Sequence, residues 1–167
     1  MLPDQVLLTN LLTDLPEMTI PTDSVDKELG EKPRRWDIKF IQDFMATFGL
    51  LSSMFDYLRF GVLLFLLHAQ PVLFRTAWFV ESVLSASLIV LVIRTRKPFL
   101  KSTPSKYLFA ATMLIALATI ALPSTPLSKF FEFRPLPIWL LLTIAMIVVL
   151  YVIAAEITKA LFYRKRD

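Results

Sequence analysis

The chain has 167 residues, 56% of them hydrophobic, with a mean hydropathy of +0.61. A soluble domain of this size covers its surface largely with charge, so the composition indicates a membrane protein. The formal net charge is +4, but no basic stripe accompanies a recognition helix, and we expect no nucleic-acid partner. The absence of cysteine excludes a disulfide framework, a thiolate metal site and a cysteine nucleophile.

Five stretches are candidates for membrane-crossing helices, each of which needs about 20 mainly apolar residues. The last candidate contains an uncharged run from Leu136 to Ala155 and is the clearest. The first is polar, because Asn10, Asp14 and Glu17 interrupt it, and hydropathy alone leaves it unassigned. The sequence therefore predicts an all-α membrane protein. In chain order, the five helices are expected at residues 3–21, 42–67, 74–94, 106–123 and 136–160.

The basic residues predict the orientation of these helices. Two alternate loops and the C-terminal tail hold 14 of the 18 lysines and arginines, an excess that is typical of cytoplasmic segments. We therefore expect five crossings, with the N-terminus outside and the C-terminus in the cytoplasm. This alternation requires the polar first segment to cross. A secretory signal fits poorly because no basic residue precedes Lys27, and Pro16 and Pro21 would break a helix lying on the membrane surface.

The polar residues of the first segment share one helical face. Asn10, Thr13 and Asp14 are spaced i, i+3 and i+4, and Glu17 follows at i+7. An ionisable group at membrane depth costs about 2.5–3.5 kcal/mol on insertion scales, and is retained mainly where it meets a partner, an ion or water. Pro16 lacks an N–H and frees a carbonyl one turn earlier, so the cluster offers only oxygen ligands and suits a hard cation. The alternative is a surface-lying segment whose polar residues are solvated.

Charged residues also interrupt two later crossings. Glu81 lies in the third crossing with Ser85 one turn on, and is a candidate second ligand; the alternative places it near the headgroups. Asp56 and Arg59 lie at i and i+3 in the second crossing, and we expect them to neutralise each other as a structural pair. Glu156 lies near a cytoplasmic end, where we expect it to be solvated. The chain has no GxxxxGK[ST] loop, GxSxG elbow or HExxH helix, so no catalytic residue is predicted.

The run from Gln5 to Asp14, QVLLTNLLTD, followed by Leu15 and Pro16, resembles the sixth transmembrane helix of P-type cation-transporting ATPases. The N-x-x-x-D core of that helix supplies cation ligands. Other motifs are similar to the magnesium-transporting branch, and the resemblance is collinear over essentially the whole chain. These motifs are TIPTDSVDK at 19–27, KPRRWD at 32–37, SSMFD at 52–56, WFVE at 78–81, IRTR at 93–96 and LPSTPL at 122–127.

The resemblance implies that the chain corresponds to helices six to ten of a ten-helix membrane domain. Asn10 and Asp14 would then be cation ligands, and Thr13 a weaker candidate. Glu81 stands in a Trp-Phe-x-Glu motif at which some relatives have a ligand carboxylate. Leu15 replaces the glycine that is common after the aspartate in calcium-pump relatives, and this favours the magnesium branch. The implied cargo is Mg²⁺, carried across the lipid bilayer of the plasma membrane.

The D-K-T-G-T motif, the nucleotide-binding domain and the first five helices of such a pump have no counterpart in the 167 residues. We therefore expect a fragment of a longer gene or the product of a split gene whose partner is the N-terminal half of the pump. ATP would bind only in that missing part. Two other classes remain open. One is a stand-alone small membrane protein that regulates or scaffolds a transporter; the other is an independent channel or carrier, which the lack of an internal repeat disfavours.

Overall fold

A computed structural model describes residues 1–23, 38–66, 70–96, 99 and 102–164, and within these ranges the chain is helical with no strand. A 3₁₀ turn follows the first helix, a π-helical turn continues the second, and two 3₁₀ turns follow the fourth. The second helix begins four residues before the expected 42, and the last continues four residues past the expected 160. The α-helices of the described part are α1 (Pro3–Met18), α2 (Ile38–Gly61), α3 (Pro71–Ile93), α4 (Lys106–Ala121) and α5 (Ile138–Arg164).

Four of the described helical segments are long and apolar enough to cross a membrane. They are Ile38–Phe65, Pro71–Ile93, Lys106–Ser124 and Ile138–Arg164. The helix α1 has 16 residues, and at 1.5 Å per residue it is about 24 Å long, shorter than a hydrocarbon core of about 30 Å. The all-helical prediction is confirmed for the described residues.

The helix boundaries follow from local sequence. α1 and α3 each begin with a proline, which costs no hydrogen bond in the first turn because the N–H groups there have no helical partner. α4 begins after Ser105, whose Oγ accepts a hydrogen bond of 3.1 Å from the backbone N–H of Leu108. Pro16 lies in the last turn of α1, and α1 ends two residues later.

The helix α3 is the centre of the bundle. It packs against α1, α4 and α5, and α2 packs against α5. Phe79, Val80 and Val83 of α3 are fully buried against Leu140 and other apolar side chains of α5. Large apolar side chains on the outside of the bundle are exposed, as expected for helices that face lipid. They include Leu114, Leu117, Leu142 and Met146.

The helix α1 joins this core through the face that carries Leu8 and Leu12. Near its start, the side chain of Gln5 is fully buried, and its Nε2 donates a hydrogen bond of 2.7 Å to the carbonyl oxygen of Phe131. Phe131 lies in the connection between α4 and α5. The same connection contacts the first turns of α3, where Thr76 Oγ1 accepts a hydrogen bond of 3.2 Å from the N–H of Arg134. The starts of α1 and α3 therefore lie at the same end of the bundle.

At the other end, Asp23 follows α1 and contacts the connection between α3 and α4. Its Oδ2 binds Arg94 Nη1 at 2.6 Å, and its Oδ1 accepts a hydrogen bond of 2.7 Å from the N–H of Ser105. α1 and the 3₁₀ turn after it thus extend from one end of α3 to the other, and α1 lies parallel to α3. The basic loop residues Lys27, Lys32, Arg34 and Arg35 lie outside the described residues.

Candidate functional site

The polar face of α1 lies opposite its packed face. At 100° per residue, Asn10 and Asp14 project from the side of the helix away from Leu8 and Leu12, and both are exposed in this chain. Thr13 lies between the two faces and is partly buried. Its Oγ1 lies 3.1 Å from the carbonyl oxygens of both Thr9 and Asn10, which share its single proton, so the hydroxyl oxygen is still able to accept or to ligate. Asn10 and Asp14 therefore share one exposed face, as their spacing predicts, whereas Thr13, predicted on the same face, lies at its edge.

Glu81 lies elsewhere in the bundle. It is 3% exposed on α3, and its Oε2 accepts a hydrogen bond from Arg59 Nη1 of α2. A cavity of about 280 Å³ adjoins this pair between α2, α3 and α5, and no residue of α1 lines it. Within the described residues, Glu81 is therefore not brought together with Asn10, Thr13 and Asp14. Its carboxylate faces a fixed cation of the protein itself.

Arg59 is the centre of this second polar cluster. Its side chain is 5% exposed and that of Glu81 is 4% exposed. Nη1 also donates to Ser82 Oγ at 2.9 Å, and Nη2 donates to Asp56 Oδ1 at 2.5 Å. The expected pairing of Asp56 with Arg59 is confirmed. The pairing of Arg59 with Glu81 was not expected, because the two residues are 22 positions apart on different helices and no local spacing connects them.

Hydroxyl groups complete the lining of the cavity. Ser52 Oγ and Tyr151 Oη lie 2.8 Å apart and join α2 to α5. Ser85 lies one turn beyond Glu81, and its Oγ donates a hydrogen bond of 3.2 Å to the carbonyl oxygen of Ser82. The cavity therefore combines carboxylate and hydroxyl oxygens, which are hard-cation ligands, with a guanidinium held among them.

A third cluster lies where α1, α3 and α4 meet, and sequence reasoning did not find it. Asp23 and Arg94 form a buried ion pair, with side chains 2% and 3% exposed. Arg94 Nη2 also donates to the carbonyl oxygen and to Oγ of Ser102, at 2.8 and 3.1 Å. The only sequence signal was that both residues lie within motifs of the family resemblance.

The environment of Glu156 is not the solvated one that we predicted. Its Oε1 accepts a hydrogen bond of 2.9 Å from the N–H of Phe99, and its Oε2 lies 2.9 Å from Lys159 Nζ. Lys159 is 2% exposed, and its Nζ also donates to the carbonyl oxygen of Val92 at 2.9 Å. This pair fixes the last turns of α5 against the end of α3.

Comparison with known proteins identifies the class of this helical bundle. Residues 1–161 match the family described as cation transporting ATPase, C-terminus, and the chain belongs to that family. Its similarity to particular members is also high. The chain is 37% identical over 171 residues to the magnesium-transporting ATPase, P-type 1, of Salmonella typhimurium (strain LT2) and to the protein of the same name in Escherichia coli (strain K12).

These alignments define which part of the relatives the chain matches. Each covers 99% of this chain and 19% of the relative, so the chain spans about a fifth of the length of the curated relatives. A second Salmonella typhimurium protein of the same name is 36% identical over 175 residues. The predicted resemblance is therefore confirmed: the chain corresponds to the C-terminal membrane region of magnesium-transporting P-type ATPases.

Proposed function

We propose that this chain acts as the C-terminal membrane region of an ATP-driven Mg²⁺ pump in the plasma membrane, and that α1 supplies ligands to the transported ion. ATP is bound and hydrolysed by the remainder of the pump. The observation that carries the proposal is the position of Asn10 and Asp14, which project together from the unpacked face of a helix fixed at both ends. The relatives are named as magnesium transporters, which favours Mg²⁺ as the cargo.

The ligand chemistry of this face suits a hard divalent cation. Asp14 supplies negative charge, Asn10 an amide oxygen and Thr13 a hydroxyl oxygen, and Pro16 frees the carbonyl oxygen of Leu12 for a further contact. A carboxylate exposed to hydrocarbon is costly, so other helices of the pump must cover this face. We assign no ion-binding role to Glu81, because Arg59 neutralises it.

The proposed topology has five crossings, with the N-terminus outside and the C-terminus in the cytoplasm. Two contacts support a crossing by α1 despite its length. Gln5 is hydrogen-bonded to Phe131 at the end of the bundle where α3 begins. Asp23 forms an ion pair with Arg94 at the end where α3 finishes. The excess of lysine and arginine at the second end makes it the cytoplasmic one.

The decisive experiment replaces Asp14 in an assembled pump. The chain is expressed with the remainder of a magnesium-transporting P-type ATPase, and Mg²⁺ uptake is measured in cells that lack their own magnesium transporters. Asp14→Asn is expected to lower uptake at least tenfold with normal assembly in the membrane. The matched control is Asp4→Asn, an exposed aspartate in the first turn of the same helix, which is expected to keep uptake within twofold.

Two results would contradict the proposal. Uptake that survives Asp14→Asn would remove α1 as the source of the essential carboxylate. Loss of assembly in Asp14→Asn, with normal assembly of Asp4→Asn, would instead favour the alternative class, a small membrane protein that uses this face to bind a partner helix.

A further inference from the structure

The cavity beside Glu81 has the composition of a cation site that is already filled by a side chain. It measures about 280 Å³ and lies between α2, α3 and α5. Oxygen atoms are supplied by two carboxylates and several hydroxyl groups, and the positive charge comes from Arg59. The oxygen-bearing side chains that line it are those of Ser52, Asp56, Glu81, Ser82, Ser85 and Tyr151.

The guanidinium is held by oxygen atoms on two helices. Nη1 donates to Glu81 and to Ser82 on α3, and Nη2 donates to Asp56 on its own helix. The guanidinium carbon also lies 5.6 Å from the centre of the Phe60 ring and 5.7 Å from that of Trp78. A fork of donors with aromatic rings beside it is a geometry that arginine satisfies and lysine does not.

The buried carboxylate of Glu81 explains why this cavity needs a cation. Glu81 is almost fully buried, and an ionised carboxylate in such a place requires a counter-charge, which is either an ion from solution or a cationic side chain. Asp56 is far less buried than Glu81, with 54% of its side chain exposed. Arg59 thus serves chiefly as the counter-charge of Glu81.

We propose that Arg59 is a tethered cation that occupies an oxygen-lined divalent-cation pocket around Glu81, so that Glu81 binds no mobile cation in this protein. Removing the guanidinium converts the pocket into a site for a hard divalent cation. The pocket is separate from the polar face of α1, and its occupancy does not depend on which ion the pump carries. If the proposed function holds, a consequence that rests on it is that Glu81 supplies no ligand to the transported ion, and that α1 is the part of this chain that does.

The test measures Mn²⁺ binding to the full chain in lipid nanodiscs by electron paramagnetic resonance. All variants of the first arm carry Asp14→Asn, so that the α1 face does not contribute. Adding Arg59→Met is expected to create one Mn²⁺ site per chain, with at least tenfold higher affinity than the Asp14→Asn parent. Adding Glu81→Gln to that variant is expected to abolish the new site, and Arg59→Lys, which keeps the positive charge, is expected not to create it.

Folding is followed by circular dichroism in the same samples. If Arg59→Met loses helix without metal and Mn²⁺ restores it, the proposal is supported, because the ion then replaces the guanidinium. A folded Arg59→Met variant that binds no additional Mn²⁺ would overturn the proposal. The proposal would also be overturned if the Arg59→Met variant stays unfolded in the presence of Mn²⁺ while the double variant Arg59→Met with Glu81→Gln is folded.

A second arm keeps Arg59 and Asp14 and replaces only Glu81 by glutamine, which has the same shape. Mn²⁺ affinity is expected to stay within twofold of the unmodified chain, because Glu81 already has its cation. A loss of one Mn²⁺ site in Glu81→Gln would show that Glu81 binds mobile cations, and would overturn the proposal whatever the first arm gives. Neither arm measures transport, so failure of the proposed Mg²⁺ pump would be seen separately.

Discussion

Asp23 and Arg94 form an ion pair of 2.6 Å in which both side chains are almost completely buried. Asp23 follows α1, and Arg94 is the first residue after α3. The second carboxylate oxygen of Asp23 accepts a hydrogen bond of 2.7 Å from the N–H of Ser105, the residue before α4. One aspartate therefore connects the ends of three helices, and movement of α1 along its axis must either carry α3 with it or break this pair.

Replacing Arg94 should destabilise the bundle strongly. Arg94→Met leaves the buried carboxylate of Asp23 without its counter-charge, and breaking a buried pair from one side costs about 3–5 kcal/mol. We expect a clear fall in the midpoint of denaturant unfolding of the chain in mixed micelles. The control is Arg75→Met. Arg75 Nη1 lies 3.7 Å from Glu132, whose side chain is 63% exposed, and such a pair contributes about 0–1 kcal/mol. Equal effects of the two substitutions would contradict the structural role of the Asp23 pair.

Lys159 offers a second test of an unexpected contact. Lys159→Met removes the donor to the carbonyl oxygen of Val92 and the partner of Glu156, and we expect a loss of about 1–3 kcal/mol. Backbone hydrogen exchange should also become faster in the last turn of α3, which a general loss of stability would not single out. The control is Lys106→Met, an exposed lysine at the start of α4 that should change stability by about 0.5 kcal/mol or less. Unchanged exchange at the end of α3 would refute the proposed contact role.

The outcome at these residues shows which contacts a sequence can predict. The pair of Asp56 and Arg59 could be predicted because both lie on one helix, where spacing determines proximity. The contact of Arg59 with Glu81 could not, since it depends on how α2 and α3 are rotated against each other. Hydropathy cannot report that rotation, because each helix is apolar on most sides and every side that faces lipid is as apolar as the core.

The same distinction applies to the candidate site. The shared face of Asn10 and Asp14 follows from the helical period alone and could be predicted. That Gln5 anchors this helix, through a carbonyl 126 positions away, has no local signal in the sequence. Glu156 was expected to be solvated because it lies near a helix end, but Lys159, one turn on in the same helix, pairs with it, and the N–H of Phe99 in the α3–α4 connection donates to it. Proximity between distant segments is set by tertiary packing, which spacing does not encode.

The proposed topology can be tested directly, since the chain has no cysteine. Asp4→Cys, Ser124→Cys and Thr103→Cys are made one at a time at exposed positions, and intact cells are treated with a membrane-impermeant maleimide. Positions 4 and 124 should both react from outside. Position 4 is next to Gln5, whose side chain is hydrogen-bonded to the α4–α5 connection, and position 124 lies in that connection. Position 103 should react only after the cells are opened, because it lies at the end of the bundle that the pair of Asp23 and Arg94 defines. Reaction of position 4 only in opened cells, together with position 103, would mean that α1 does not cross, and would remove the five-crossing topology.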